Sequence, residues 1–299
     1  MTNLLSYTGN TPIIKIENIF YPDKADIFVK LEEFNPGGSV KSRPGVHMVL
    51  DAQEKKLLTK DKILLEPTGG NTGLGITIAA VSLGYKVHLV IPDNFSKDKI
   101  KNLESYGAKI ILSDHTTGPG SHVRLANQIL ESENKYICLD QFSNPANPMS
   151  HYLTTGPEII NQLKIRKVDA FIAGIGTGGT LMGVGKYLKG INANIKIIGV
   201  QPEGCDFMNN IFIPHKIEAI AVGFIPPIVD LEMIDHMISV DFYEVMELRD
   251  WLSKKMGLFV GISSGANILA ALKEAAKYPK GKFIITVAPD SGRSYIAYE

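Results

Sequence analysis

The stretch Asn35-Pro36-Gly37-Gly38-Ser39-Val40-Lys41-Ser42-Arg43-Pro44, entered from the apolar run Ile27-Phe28-Val29-Lys30-Leu31, decides how this chain is read. An apolar run, a glycine-rich loop and a proline suited to the first turn of a helix are the parts of a strand–loop–helix unit. Gly37 and Gly38 admit backbone angles closed to other residues and expose amide groups. Lys41 then stands at a helix start, where the positive dipole end pushes its amine toward the neutral, nucleophilic form. Alone, such a loop is also read as a plain turn with a surface lysine. Three further loops change that reading.

Outward from this unit, short apolar runs alternate with amphipathic segments, the pattern of βα units around a parallel sheet. Pro44 to Leu58 is predicted as a helix with Val46, Val49, Leu50 and Leu57 at helical spacing. Strands are expected at Ile63–Glu66, Lys86–Ile91 and Ala108–Leu112, with helices at Gly73–Leu83 and Ser96–Tyr106 between them. A second series has strands at Val168–Ile172, Ile197–Val200 and Phe283–Val287, and a helix from about Thr180. The stretch Gln141–Pro148 is turn-rich and reads as the linker between the two series. Two α/β lobes facing a cleft are the expected architecture, since ligands sit beyond the carboxyl ends of parallel strands.

Bulk properties narrow the function. With 299 residues, 44% of them hydrophobic, the chain can bury two cores. Lys plus Arg number 31, as do Asp plus Glu, so no global field draws in nucleic acid or an anionic membrane. Cys138 and Cys205 are too few for a disulfide framework or a cysteine-rich metal site. His47, His122, His151 and His215 lack ligand spacing, and no metal is expected. The N-terminus lacks the basic start and apolar run of a signal peptide, and no segment reaches the roughly 18 to 20 apolar residues of a membrane span. A cytoplasmic protein is expected.

Three more loops carry chemistry. Glu66-Pro-Thr68-Gly69-Gly70-Asn71-Thr72-Gly73 follows a strand and opens a helix, so its amides, with Thr68, Asn71 and Thr72, make an anion site sized for a carboxylate. Gly174-Ile-Gly176-Thr177-Gly178-Gly179-Thr180 repeats the arrangement for a phosphate, with two threonine hydroxyls and no arginine. It lacks the Gly-Lys-Ser/Thr ending of a P-loop. No acidic residue clearly ends the next strand, although Glu203 lies nearby, so one phosphate fits better than a dinucleotide. Gly261-Ile-Ser263-Ser264-Gly265-Ala266 places a hydroxyl where it could bond a ring nitrogen, or where a serine merely caps a helix.

A lysine, a carboxylate cradle, a phosphate cradle and a serine for a ring nitrogen describe a pyridoxal 5'-phosphate (PLP) site. The chain resembles the cysteine synthase and cystathionine β-synthase family. The resemblance is carried by Thr8-Gly-Asn-Thr-Pro12, the lysine loop, the Thr68–Gly73 loop, Gln141-Phe with Asn144-Pro-Ala-Asn147, Thr154-Thr-Gly-Pro-Glu158, the Gly176–Thr180 loop, Pro214-His-Lys-Ile217, Gly223-Phe-Ile-Pro226, the Gly261–Ala266 loop and Pro289-Asp-Ser-Gly292. It implies a tryptophan-synthase-β-like, fold type II α/β protein with two mainly parallel open sheets and a PLP cleft between them. Residues 1–40 and 146–299 would form the larger PLP-binding domain, and 41–145 a smaller, mobile domain for the substrate carboxylate. Lys41 would be catalytic, carrying PLP as a Schiff base and removing the substrate α-proton. Asn71 would bond the cofactor 3' oxygen, Gly176, Thr177, Gly178 and Thr180 the phosphate, and Ser263 the pyridine nitrogen. Thr68, Gly69, Asn71, Thr72 and Gln141 would line the substrate. The implied reaction is β-replacement on a serine or cysteine derivative through an α-aminoacrylate, with cysteine made from O-acetylserine and sulfide. Sulfide-releasing cysteine lyase and cystathionine β-synthase-like condensation are the alternatives, and a homodimer is expected.

Departures from the family pattern point to altered substrate use. Gly69 stands where the family usually has serine, and Ser42 where aspartate is common. Pro202-Glu-Gly-Cys205-Asp206-Phe-Met208-Asn replaces a serine- and glycine-rich run, and reads either as an active-site mouth or as a shortened lid. Asp230, Glu232 and Asp235 are candidates for activating a nucleophile, or are solvated loop acids.

Overall fold

The structure, a computed structural model, describes residues 4–16, 21–164 and 167–298. The first three residues of the N-terminal stretch lie outside these. In chain order the chain forms β1 (Ile13–Ile16), β2 (Asp26–Leu31), α1 (Ser42–Glu54), β3 (Ile63–Glu66), α2 (Asn71–Ser82), β4 (Lys86–Pro92), α3 (Lys97–Ser105) and β5 (Lys109–Ser113). There follow α4 (Ser121–Ser132), β6 (Tyr136–Ile137), α5 (Ala146–Leu153), α6 (Thr155–Leu163), β7 (Ala170–Gly174), α7 (Gly179–Ile191) and β8 (Lys196–Pro202). The last elements are β9 (His236–Val240), α8 (Phe242–Met256), α9 (Ile262–Ala275) and β10 (Phe283–Ala288).

The chain is α/β, with two largely parallel sheets in two compact units. One unit comprises residues up to Thr8 and Asn35–Asn147; the other comprises Gly9–Phe34 and Pro148–Glu299. The first holds a four-stranded parallel sheet in the order β5-β4-β3-β6. The chain builds β3, β4 and β5 outward, then returns to lay β6 on the other side of β3. The order therefore reverses between β3 and β6, the place where an open α/β sheet leaves a crevice at its carboxyl edge. The lysine loop belongs to this unit, where the sequence division at residue 40 would leave Asn35–Val40 with the other. Its packing explains why: a Cβ on Gly37 would touch Ile78 and Leu74 of α2. Leu5 packs on the same core, which draws the N-terminal segment in as well.

The second unit holds a six-stranded sheet in the order β1-β2-β10-β7-β8-β9, parallel except for β1 against β2. Here the order reverses between β7 and β10. Both faces are covered, so the central strands are buried at nearly every position rather than alternating, with Thr286 the polar exception on β10. On β7, Ala170 and Ile172 enter one core while Phe171 and Ala173 enter the other. On β10, Ile284 and Ile285 divide in the same way. Helix ends obey local chemistry. Asp241 accepts from the N–H groups of Tyr243 and Glu244 at the start of α8, and Gly257 closes that helix in the left-handed conformation.

Several boundaries differ from the sequence expectation. Helix α1 ends at Glu54, and Leu50 and Leu57 are exposed; its buried face carries Val46, Met48, Val49 and Ala52. The stretch Gln141–Pro148 is turns only as far as Pro145, after which α5 begins at Ala146. Proline at position 148 is tolerated there because the first N–H groups of a helix have no intrahelical partner.

Candidate active site

Lys41 occupies the N-cap position of α1. Its loop is closed locally: the Lys41 N–H donates to Ser39 Oγ at 3.3 Å, and Ser42 Oγ donates to the Pro36 carbonyl. Gly37 and Gly38 have φ of 86° and 74°, the left-handed region that the turn requires. Ser42 thus ties down the loop that precedes it. Lys41 is half-buried as a residue; its amine has no hydrogen-bond partner among the described residues and is lowered to about 8 by desolvation.

Helices α1 and α2 touch backbone to backbone. A Cβ on Gly45 would lie 2.6 Å from the Gly75 carbonyl carbon, and one on Gly75 would lie 2.5 Å from the Lys41 carbonyl oxygen. Helix α2 begins at Asn71, two residues before its expected start, so Asn71 and Thr72 stand in its first turn. The glycine contacts thereby fix the lysine against the helix that carries Asn71. Thr72 Oγ1 donates to Gln141 Oε1 at 2.7 Å, and Asn147 Nδ2 donates to the Gln141 carbonyl at 2.7 Å. The structure therefore joins two of the residues expected to grip a carboxylate, from loops on either side of the β3–β6 crevice. Buried Glu66, at the end of β3, accepts from the Leu139 N–H and links the same two loops. Burial raises its carboxyl to about 7; burial first, and the Glu66 carboxylate second, push the neighbouring Cys138 thiol well above its ordinary range.

In the second unit, the loop after β7 leads into α7, whose N-cap is Gly178 at φ 91°. A Cβ there would collide with Val229 at 2.3 Å, and one on Gly176 would meet the Ala219 carbonyl oxygen at 2.2 Å. This loop presents backbone amides at the head of a helix, with Thr177 and Thr180 beside them. Buried His151 lies behind it, 3.3 Å from Thr180 Oγ1 through Nε2 and 2.9 Å from Thr155 Oγ1 through Nδ1. Asn267 of α9 closes the β7–β10 crevice: its Oδ1 accepts from the Gly174 N–H at 2.7 Å and its Nδ2 donates to the Val287 carbonyl at 3.0 Å.

The two serines of the fourth loop separate cleanly. The N-cap of α9 is Gly261, so neither serine caps the helix. Ser264 is fully buried and spends its hydroxyl on Asp290, donating to the carbonyl at 3.1 Å and accepting from the N–H at 3.3 Å. The Ser263 hydroxyl, beside it, makes no hydrogen bond with the described residues.

The family profile described as "Pyridoxal-phosphate dependent enzyme" matches residues 4–290. The chain belongs to that family. Within it, the chain is 38% identical to a cysteine synthase of Staphylococcus aureus over 296 residues, covering 99% of this chain and 95% of the relative. Among solved structures it is similar to a hydrogen sulfide-producing enzyme from Fusobacterium nucleatum, with a TM-score of 0.92, 36% identity and coverage of 99% and 98%. It is also similar to an O-acetylserine dependent cystathionine β-synthase from Helicobacter pylori, with a TM-score of 0.90, 36% identity and coverage of 99% and 97%. It is a PLP-dependent enzyme of the cysteine synthase family.

The residues present suit PLP. A desolvated lysine amine near neutrality matches an aldehyde, a backbone cradle free of carboxylates matches a phosphate ester, and a free serine hydroxyl matches a ring nitrogen. The remaining candidates take other roles. Cys205 is buried with its Sγ toward the Ile213 carbonyl, and Asp206 caps a tight turn through both N–H groups of Asn209. Met208 is exposed. Asp235 is held by Lys189, Lys196 and the Ile197 N–H, and Asp230 by the Glu232 N–H. Sequence reading passed over Glu66, His151 and Asn267 as positioning residues. Their signal is spacing alone: Glu66 ends the strand before the carboxylate loop, and Asn267 sits one helical turn after Ser263.

Proposed function

We propose that the enzyme catalyses β-replacement on a serine or cysteine derivative, forming cysteine from O-acetylserine and sulfide. The observation that supports this best is the desolvated Lys41 amine at about 8, packed through Gly75 against the helix that presents Asn71 and Thr72. An amine poised near working pH is suited to take and return a carbon-bound proton. Thr68, Asn71, Thr72 and Gln141, with the head of α2, hold the substrate carboxylate and so orient its Cα–H bond toward Lys41. Gly69 lines the same loop. Gly176, Thr177, Gly178 and Thr180 grip the cofactor phosphate, Ser263 its ring nitrogen, and Asn71 its 3' oxygen. When bound, PLP supplies the electron sink for departure of the β substituent. Acetate leaves with the carbon–oxygen electron pair, sulfide forms the new carbon–sulfur bond, and Lys41 returns the proton to Cα. We read the first unit as the substrate-carboxylate domain and the second as the PLP domain, and place the enzyme in the cytoplasm as a homodimer.

Release of sulfide from cysteine is a second reading, favoured by the likeness to the Fusobacterium enzyme. Purified protein loaded with PLP separates the two. Cysteine produced from O-acetylserine and sulfide, and lost in Lys41→Ala, is the expected result. Sulfide release from cysteine with no cysteine synthesis would replace the first reading with the second.

A further inference from the structure

Gly69 has no backbone reason to be glycine, since its φ is not in the left-handed region. The reason lies in packing. A Cβ at Gly69 would stand 2.9 Å from both Cε1 and Cζ of Phe95 and 3.0 Å from Cγ2 of Ile91, whereas one at neighbouring Gly70 would meet nothing within 4 Å. Of the loop's glycines, only Gly69 is crowded by Phe95. It follows from topology: β3 and β4 are adjacent and parallel, so the loops leaving their carboxyl ends run side by side. Phe95 is anchored on both flanks. Its N–H donates to the Pro92 carbonyl at 3.0 Å, and Ser96 after it caps α3. The ring is partly buried and packs on the core that includes Leu89 and Ile91, so a side chain at position 69 would have to displace it from those contacts.

We propose that Phe95 is a specificity-determining residue for the reaction inferred above, acting with Gly69 as an exclusive pair. The chain can carry a side chain at position 69 or a large ring at position 95, but not both. The ring puts an apolar edge against the Thr68–Thr72 loop where a serine would put a hydroxyl. An apolar wall offers nothing to a leaving hydroxyl and accommodates an acetyl methyl group or a sulfur atom, the latter through contact with the ring edge. The pair therefore favours O-acetylserine and cysteine over serine as donors. This assignment rests on the proposed β-replacement. Differences of this kind at an apolar wall amount to about ten- to a hundredfold in kcat/KM.

A double-mutant cycle over Gly69→Ser, Phe95→Ala and the combined variant tests it with two readouts. Urea unfolding of the cofactor-free proteins is expected to show Gly69→Ser lowering the midpoint in the parent and having little effect once Phe95 is alanine. The ratio of kcat/KM for O-acetylserine to that for serine, at fixed sulfide, is expected to fall about tenfold in the combined variant. If Gly69→Ser alone does not fold, a folded combined variant demonstrates the exclusive pair directly. Additive effects on the midpoint, or an unmoved donor ratio, overturn the assignment while leaving the proposed function intact. Failure of the parent holoenzyme to use either donor overturns the proposed function and the assignment with it.

Discussion

Gly75 lies so close to Lys41 that a single added carbon would stand 2.5 Å from the lysine carbonyl oxygen. The Lys41 loop is therefore positioned by the absence of a side chain one helix away. Gly75→Ala is expected to push α1 from α2, destabilising the protein by about 1 to 3 kcal/mol, the usual cost of overpacking. Activity should fall further than stability predicts, because Lys41 moves relative to Asn71. Thermal unfolding and kcat measured on the same preparation check this; equal activity with a lowered melting temperature would show that Lys41 does not depend on the contact.

Asn267 offers a second test, through hydrogen bonds rather than packing. Asn267→Leu keeps the volume but strands the Gly174 N–H and the Val287 carbonyl in the interior. The expected loss is about 1 to 3 kcal/mol for each buried group left unpaired. Because Gly174 begins the loop proposed to hold the cofactor phosphate, PLP should also bind more weakly. Titration of the apoprotein with PLP, followed by the visible absorbance, reads the second effect separately from unfolding.

The lowered Lys41 amine has a definite sign in stability. Between about 8 and the ordinary lysine value, the unfolded chain binds a proton that the folded apoprotein does not. Stability of the apoprotein should therefore rise with pH across that window, and the penalty of burying the charged amine should be fully present below it. Lys41→Met is expected to stabilise the apoprotein below pH 8, with the gain vanishing toward pH 10.5. Urea unfolding at pH 7 and pH 10 distinguishes this from a constant effect.

Glu66 works in the opposite direction. Its folded carboxyl titrates at about 7 against 4.5 unfolded, so the folded state holds the extra proton between these values. Stability should decline as pH rises through that window, and Glu66→Gln should remove the decline while its amide oxygen still accepts from the Leu139 N–H. A stability profile from pH 4.5 to 7.5 that keeps its slope in Glu66→Gln would assign the titration elsewhere.

The four loops were legible because each couples glycines to polar side chains at a strand-to-helix junction, a local pattern. Strand β3 and helix α7 were legible for the same reason: their periodicity and boundary residues agree. Helices α4 and α8 and strand β9 were not singled out, although Asp241 and Gly257 bracket α8 as helix-ending residues do. What sequence could not give was the return of β6 beside β3 and of β10 beside β7, since long-range strand order leaves no local trace. Glu66 and Asn267 acquire meaning only once those strands are neighbours. Phe95 is the sharpest case. Gly69 reads in sequence as a lost hydroxyl, to be restored by serine, but the ring standing in its place makes that substitution a steric problem first.

The Gly174–Thr180 loop, proposed to hold the cofactor phosphate with amides and two threonines, has an electrophoretic consequence. No lysine or arginine stands in Gly174–Thr180, and the whole chain has as many basic as acidic residues. A phosphate monoester contributes about −1.5 to −2 charges near neutrality, so filling the cradle gives a balanced polypeptide a net negative charge. Cofactor occupancy should therefore be visible as migration toward the anode in a native gel, out of proportion to the small mass the cofactor adds.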